Sequence, residues 1–427
     1  MSKHISAIKE KKVKLCPGPM QIWCKKVLFE LFKDLQFGTL SINNCGKLYE
    51  FGTSQGRSGI SASVSIHDPK FYPDVLFKGS IGAAESYMKG YWTTENLTDV
   101  VRLFVINTDL LNRKMDAGWS KVTAPFMLLY HRLRKNTRSG SKKNIVAHYD
   151  LSNDFFSLFL DKTMGYSCGI FEHENSSLHE AQVAKFDRIC KKLDLNPSDH
   201  LVEIGGGWGG FALHAVQNYG CRVTTTTISD NQYRYMQRLF SESGMADRIK
   251  VMKQDYRELT GKYDKLVSIE MIEAVGHHFL DTFFERCCRL LKPDGMMALQ
   301  TITIPDHEFN RHKHSVDFIK RYIFPGSCIL SVGAITKSFT QKTDFQLIHY
   351  EDITPHYAIT LRIWRQRFFA NLEKVKAMGF SQSFIRMWEF YLASCEGSFQ
   401  EHYNGNVQMI FARPQSSHKQ MLPSLDS

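Results

Sequence analysis

The chain has 427 residues and a mass of 49.2 kDa, too long for one ordinary domain, and its 43% of hydrophobic residues suffice for a sizeable core. A net charge of +11 and a pI of about 9.0 favour an anionic partner: a membrane surface, nucleic acid or an acidic metabolite. Ten cysteines at irregular spacing, without a Cys-x-x-Cys pair, exclude a disulfide framework and spell out no zinc site, so no metal is expected and the chain reads as reduced and intracellular.

Residues 1–19 are basic, with no apolar run after them, so no secretory signal is expected, and no uncharged stretch reaches the length of a membrane span. Helix spacing runs from Trp23 to Leu35, and strand-like alternation follows at Gly38–Ile42, Lys47–Phe51 and Ala62–Ile66. Helices are expected at Asp68–Phe77, Ile81–Trp92 and Leu97–Leu111. Residues 38–116 thus read as a small α+β domain behind an N-terminal segment and helix, 1–37. From Ala117 to Tyr149 there is no acidic residue, while Lys121, Arg132, Arg134, Lys135, Arg138, Lys142 and Lys143 follow one another. This basic stretch, 117–143, is either a site for docking on anionic lipid or a solvated linker.

From residue 144 to 413 strands and helices alternate. Strands are expected at Leu201–Ile204, Arg222–Ile228, Ile249–Met252, Asp264–Ile269 and Met296–Ile304, with late ones at Phe345–Tyr350 and Asn406–Arg413. Repeated βα units predict a seven-stranded, doubly wound, mainly parallel α/β sheet with its ligand at the carboxyl ends of the strands. Residues beyond about 305 exceed what two late strands need and are expected to form a helical cap over that ligand. The tail, 414–427, reads as disordered.

Chemistry concentrates where strands end. Leu201-Val-Glu-Ile-Gly-Gly-Gly-Trp-Gly-Gly210 is a strand, a glycine turn and a helix start, which together let backbone approach a ligand closely. Its spacing is neither the dinucleotide pattern nor the phosphate loop; it resembles the first motif of S-adenosylmethionine (SAM) methyltransferases. The second strand ends without an acidic residue for a ribose diol, which leaves Thr227, Ser229 and Gln232 as neutral substitutes. Gln254-Asp-Tyr-Arg-Glu258 offers an aromatic face beside polar groups for adenine, and Glu270-Met-Ile-Glu-Ala-Val-Gly276 follows the fourth strand. Each alone is an ordinary loop; in sequence after the glycine turn they point to SAM.

Further motifs carry a more specific resemblance. His148-Tyr-Asp-Leu-Ser-Asn-Asp-Phe-Phe156, Met164-Gly-Tyr-Ser-Cys168, Glu203–Gly210, Asp317–Gly326 and His356–Trp364 resemble the cyclopropane-fatty-acid synthase family, as does Lys78–Met88 in the small domain. The resemblance spans roughly residues 40–413. It implies transfer of a methyl group from SAM to the double bond of an unsaturated acyl chain in a phospholipid at a membrane surface, by a cytoplasmic, peripherally bound enzyme with no nucleic-acid partner; a homodimer stays open. It implies SAM contacts at Tyr166, Ser167, Glu203, Gly205, Gly206, Gly207, Thr227, Ile228, Ser229, Asp230, Asn231, Gln232, Tyr256, Arg257 and Ile269. It also implies a bound bicarbonate that deprotonates the methylated chain to close a cyclopropane ring, held by Cys168, Glu273 and Tyr357, with Gln300 where the family usually has His. Gln300 can donate a hydrogen bond but carries no charge, which opens a route to a methylene- or methyl-branched product. Gly206 stands where the family usually has Cys. Cys395 matches a cysteine once proposed as the family's nucleophile, although alkene methylation needs no covalent enzyme intermediate and a buried structural thiol suits it better. The rival readings are an amine N-methyltransferase, which has no use for a bicarbonate site, and a lipid- or SAM-binding protein that has lost catalysis.

Overall fold

The computed structural model describes residues 17–53, 59–109 and 151–417. The basic stretch 117–143 and the tail beyond 417 lie outside the described residues. The chain divides into two compact units, each considered by itself: one formed by the residues before 130 together with 373–401, the other by 130–372 together with the residues from 402 onward.

In the first unit a helix, Pro19–Phe32, precedes strands β1 (Gly38–Asn44), β2 (Lys47–Thr53), β3 (Ser61–Ile66) and the short β4 (Trp92–Thr93) in the order β2-β1-β3-β4. β1 buries Leu40 and Ile42 while β3 buries Ala62, Val64 and Ile66, the period-two pattern of a sheet with one covered face. The two helices expected at 68–92 lie within Phe71–Met88 and are separated at Gly79, whose φ of 55° and ψ of −132° no helix accommodates. The helix Leu97–Ile106 is capped by Asn96, whose side chain accepts from the Thr98 N–H.

The helix Gln382–Gln400 belongs to this first unit, although the sequence assigned it to the cap of the later domain. Glu389 accepts from the Tyr87 hydroxyl at 2.7 Å, buried Glu396 accepts from Thr98 at 3.1 Å, and Glu401 pairs with Arg102 at 2.6 Å. Its apolar face buries Trp388, Tyr391 and Leu392. The polar partners along it come from residues some three hundred positions upstream, which local periodicity cannot register.

The second unit holds the seven-stranded sheet β10-β11-β9-β8-β5-β6-β7, formed by β5 (His200–Ile204), β6 (Arg222–Thr227), β7 (Ile249–Lys253), β8 (Tyr263–Ile269), β9 (Leu291–Thr303), β10 (Gln346–Asp352) and β11 (Gly405–Ala412). β11 is antiparallel to both neighbours and the pairs from β7 to β9 are parallel. Residues of one strand alternate between two apolar clusters: Val202, Leu266, Met297 and Leu299 in one, Leu201, Val267, Met296 and Ala298 in the other. Helices therefore cover both faces of the sheet.

β6 is almost all threonine, yet buried. Its hydroxyls are satisfied in place: Thr224 with His200 at 2.9 Å, Thr225 on Glu203 at 2.6 Å, Thr226 on the Glu203 carbonyl at 3.2 Å and Thr227 on Gln232 at 2.7 Å. Strand order reverses between β5 and β8, and this switch point is where a doubly wound sheet opens a crevice for its ligand. No helix among the described residues is long and apolar enough to cross a membrane.

Candidate active site

The glycine turn leaves β5 at the switch point. Gly205 takes φ +84°, and a side chain there would meet Met271 at 2.6 Å, on the loop leaving β8. Gly207 takes φ +55° with open space beside its α-carbon, a cradle into which a ligand's backbone-facing edge fits. Gly206 is fixed by another constraint. A Cβ there would lie 1.9 Å from Thr225 Oγ1 and 2.9 Å from Glu203 Oε2. With Thr225 present, the cysteine usual at this position has no room, which explains the departure.

Around that turn the other strand ends converge. Ser229 caps the helix Asp230–Glu242, its backbone N–H donating to Thr227 Oγ1 and its hydroxyl accepting from the Gln232 N–H. Thr227, Ser229 and Gln232 are thus locked to one another, with Ile228 and Asn231 between them, while Asp230 pairs outward with Lys253. After β7, Arg257 is clamped by Asp255 at 2.8 and 2.6 Å, and the Tyr256 hydroxyl is buried without a hydrogen-bond partner among the described residues. The Tyr256 ring packs on Phe283, and the open glycine cradle at the switch point beside the locked Thr227–Gln232 network fits a nucleoside-bearing ligand such as SAM.

Two buried ionisable groups stand behind this cradle. Burial raises Glu203 to about 7, against the opposing Thr225 hydrogen bond. Lys185, on the helix Leu178–Lys192, is fully buried, and burial lowers it to about 8 while Glu270, Cys168, Asp161 and Glu203 pull the other way. Its ammonium donates to Ser167 Oγ at 2.6 Å and to Gln182 Oε1, and Gln182 in turn donates to the Ser167 carbonyl at 2.8 Å. Lys185 therefore fixes the Tyr166–Ser167 segment. Tyr166 itself stands in an aromatic wall, 5.2 Å from Trp364 and 5.3 Å from Phe156 between ring centroids, with Tyr357 6.3 Å from Trp364.

Three of the four residues assigned to bicarbonate, Cys168, Gln300 and Tyr357, come together, but around a carboxylate of the chain itself. Glu270, directly after β8, receives the Cys168 backbone N–H at 3.0 Å, Gln300 Nε2 at 2.8 Å and Asn406 Nδ2 at 2.7 Å on Oε1, and the Tyr357 hydroxyl at 2.6 Å on Oε2. Four donors leave no need for a further anion. These donors are turned to Glu270, and as they stand they do not fit a separate bicarbonate. Cys168 contributes its backbone, not its thiol: the thiol is fully buried, turns to the Gly169 carbonyl at 3.2 Å, and burial pushes it well above the ordinary range.

Glu273 lies in the same loop with a different task. Its Oε1 accepts from the Ile302 N–H at 2.6 Å and the Thr301 hydroxyl at 2.8 Å, while Oε2 is buried without a partner among the described residues. Burial first, and then the charge of Glu270, raise it to about 7. Gln300 is oriented from behind: its Oε1 accepts from Gln408 at 3.0 Å, and Gln408 accepts from buried Lys192 at 2.7 Å. Cys395, half-buried on Gln382–Gln400, belongs to the first unit, whereas all the groups around Glu270 belong to the second.

Glu270, Asn406 and Lys185 were not singled out from sequence. Glu270 stood inside the quoted motif, but only its neighbour Glu273 matched the family pattern. Its backbone gives the missing signal, a φ of +48° at a residue that is not glycine, a conformation retained at some cost in energy and concentrated at functional sites.

A doubly wound sheet with a glycine cradle at its switch point and polar loops after each of the next three strands defines a SAM-dependent methyltransferase. The family described as mycolic acid cyclopropane synthetase matches residues 136–409, and the chain belongs to it. The tuberculostearic acid methyltransferase UfaA1 of Mycobacterium tuberculosis is 35% identical over 375 residues, 86% of this chain and 87% of that protein. The cyclopropane-fatty-acyl-phospholipid synthase of Escherichia coli is 34% identical over 355 residues, 82% and 88% of the two chains. Among solved structures, the mycolic acid cyclopropane synthase CmaA1 complexed with SAH and CTAB is similar with a TM-score of 0.60 and 34% identity, covering 64% of this chain and 98% of that one.

Proposed function

We propose that the chain methylates the double bond of an unsaturated fatty acyl chain carried on a phospholipid. The observation that carries the reading is a carboxylate with four donors set against an aromatic wall: Glu270 is bonded to Tyr357, whose ring neighbours Trp364, and Trp364 neighbours Tyr166. SAM, when bound, supplies an electrophilic methyl group. An alkene has no acidic proton for a base to remove, so the chain's residues act by position and by exclusion of water. The glycine cradle and the Thr227–Gln232 network hold the donor's nucleoside, and Lys185 holds Ser167 beside it.

Attack by the π-electrons leaves a positive charge on the acyl chain. The face of Tyr166, the partly exposed ring of this wall, stabilises a cation there. Trp364 and Phe156 are wholly buried and hold the Tyr166 ring in place from behind. Loss of a proton from the new methyl group closes a cyclopropane ring; a hydride shift before proton loss gives a methylene branch, and reduction of that gives a methyl branch. The branched outcome is the second reading, favoured by the 86% of this chain matched by UfaA1.

The test is expression in cells rich in monounsaturated phospholipids, with mass spectra of their fatty acids. A gain of one CH2 unit is expected, and fragmentation distinguishes ring from branch. No gain from a chain that binds SAH overturns the reading.

A further inference from the structure

The other proton acceptors described at this site are held less fully or lie elsewhere. Glu273 has Oε1 bound by Ile302 and Thr301, both of β9, and Oε2 without a partner among the described residues, so one strand alone orients it. Glu203 lies under the glycine turn, bonded to Thr225. The Cys168 thiol faces a carbonyl. Glu270 alone of these is held by donors from four separate parts of the chain: the Tyr-Ser-Cys segment, β9, β11 and the helix Thr354–Ala370. A carboxylate is an acceptor with two oxygens and several lone pairs, so four donors orient it without using up its capacity for a proton. Its left-handed backbone is the second, independent sign. An ordinary side chain at φ +48° meets a steric cost that glycine would avoid, and what is retained at that cost is this carboxylate in this position.

We propose that Glu270 is the base of the reaction, a carboxylate built into the chain at the position where a bound bicarbonate was expected, so that turnover requires no added anion. The inference rests on the acyl-methylation reading. The alkene π pair forms the new C–C bond as the C–S bond of the donor breaks, its electrons staying on sulfur. A C–H bond of the resulting cation then breaks. Its electron pair closes the ring, or forms the π bond of a methylene branch after a hydride shift, and its proton goes to Glu270 to give the carboxylic acid. Bulk water takes that proton once product leaves.

The purified chain is assayed with SAM and vesicles of monounsaturated phospholipid, in buffer freed of carbon dioxide and in buffer with bicarbonate. Glu270→Gly is the informative variant, since glycine accepts the backbone conformation and leaves the four donors around an opened space. The wild-type chain is expected to turn over equally in both buffers and to show no binding of 13C-bicarbonate by NMR. Glu270→Gly is expected to lose about 10²-fold or more without bicarbonate, to regain at least about tenfold of that with bicarbonate or formate, and to bind 13C-bicarbonate. Glu270→Gln, uncharged but of the same shape, should fall by a similar factor, and SAH affinity unchanged within about twofold shows that both variants fold. Dependence of the wild type on bicarbonate, its binding of the anion, or full activity of either variant in carbonate-free buffer overturns the inference while the CH2 gain stands. Absence of any CH2 gain from the wild type overturns the acyl-methylation reading, and the base with it.

Discussion

Gly206 shows how one side chain dictates its neighbour. Thr225 donates to the buried Glu203 carboxyl and in doing so fills the volume a Cβ at 206 would need. Gly206→Cys should destabilise the chain by about 1–3 kcal/mol through overpacking, read as a lower urea midpoint, and adding Thr225→Ala should recover part of the loss. If the single variant melts as the wild type does, the crowding is not real. Glu203 makes a second prediction. Its folded-state pKa of about 7 lies above the ordinary 4.5, so the folded chain binds that proton more tightly than the unfolded one. The stability this gives is complete below about pH 4.5 and is lost as pH rises through about 7, by about 1.4 kcal/mol for each pH unit crossed between those limits. Glu273 behaves the same way, its carboxyl also raised to about 7, so Glu203→Gln should flatten the decline in urea midpoint between pH 5 and 7.5 only in part. A slope unchanged in that variant would remove Glu203 from the account. At this scale the sequence shows which residues are chemically able and not which of them meet. Glu270 and Glu273 are two carboxylates three positions apart in one motif, and only the donors at 168, 300, 357 and 406 give them different roles.

Pairing of β9 with β11 places Gln300 directly opposite Gln408, and the helix Leu178–Lys192 delivers Lys192 to the far side of Gln408. Lys192 also pairs with Glu351, which Arg188 holds in turn. The amide of Gln300 thus has its oxygen occupied and its nitrogen turned to Glu270. Gln408→Leu should free that amide to rotate. We expect about a tenfold fall in kcat, the worth of one hydrogen bond of roughly 1.4 kcal/mol, with KM for SAM unchanged. An equal change in KM would mean that the substitution disturbs the sheet rather than the orientation of Gln300. The strands themselves were legible, because apolar runs separated by amphipathic helices have few other solutions. β6 was placed despite its four threonines, and the late strands fell where hydropathy put them. The register of β9 against β11 was not legible, since it is set by pairing between segments more than a hundred residues apart. The break at Gly79 inside Phe71–Met88, by contrast, falls where the sequence separated two helices.

For the molecule as a whole, the order of the chain and the order of its packing differ. The residues before 130 form one compact unit only together with 373–401, so the first part of the chain remains incomplete until nearly all of it has been made. The helix Gln382–Gln400 supplies Trp388, Tyr391 and Leu392 to that unit's core, each buried and each worth about 1.5–3 kcal/mol for a large apolar side chain. It also supplies the buried Glu396 carboxylate that receives Thr98. A domain boundary drawn at residue 116 cuts through this arrangement, because composition and charge shift there while the partners do not. Stabilities of small domains are only about 5–15 kcal/mol in total, so loss of three such side chains removes much or all of the margin. Residues 17–109 expressed alone should therefore show no cooperative thermal transition by circular dichroism. The same residues joined to 380–403 through a flexible linker should show one, and Trp388→Ala in the joined form should lower its midpoint by several degrees. A sharp transition in the short fragment would mean that the four-stranded sheet and its own helices suffice, and that Gln382–Gln400 is an addition to a core already closed.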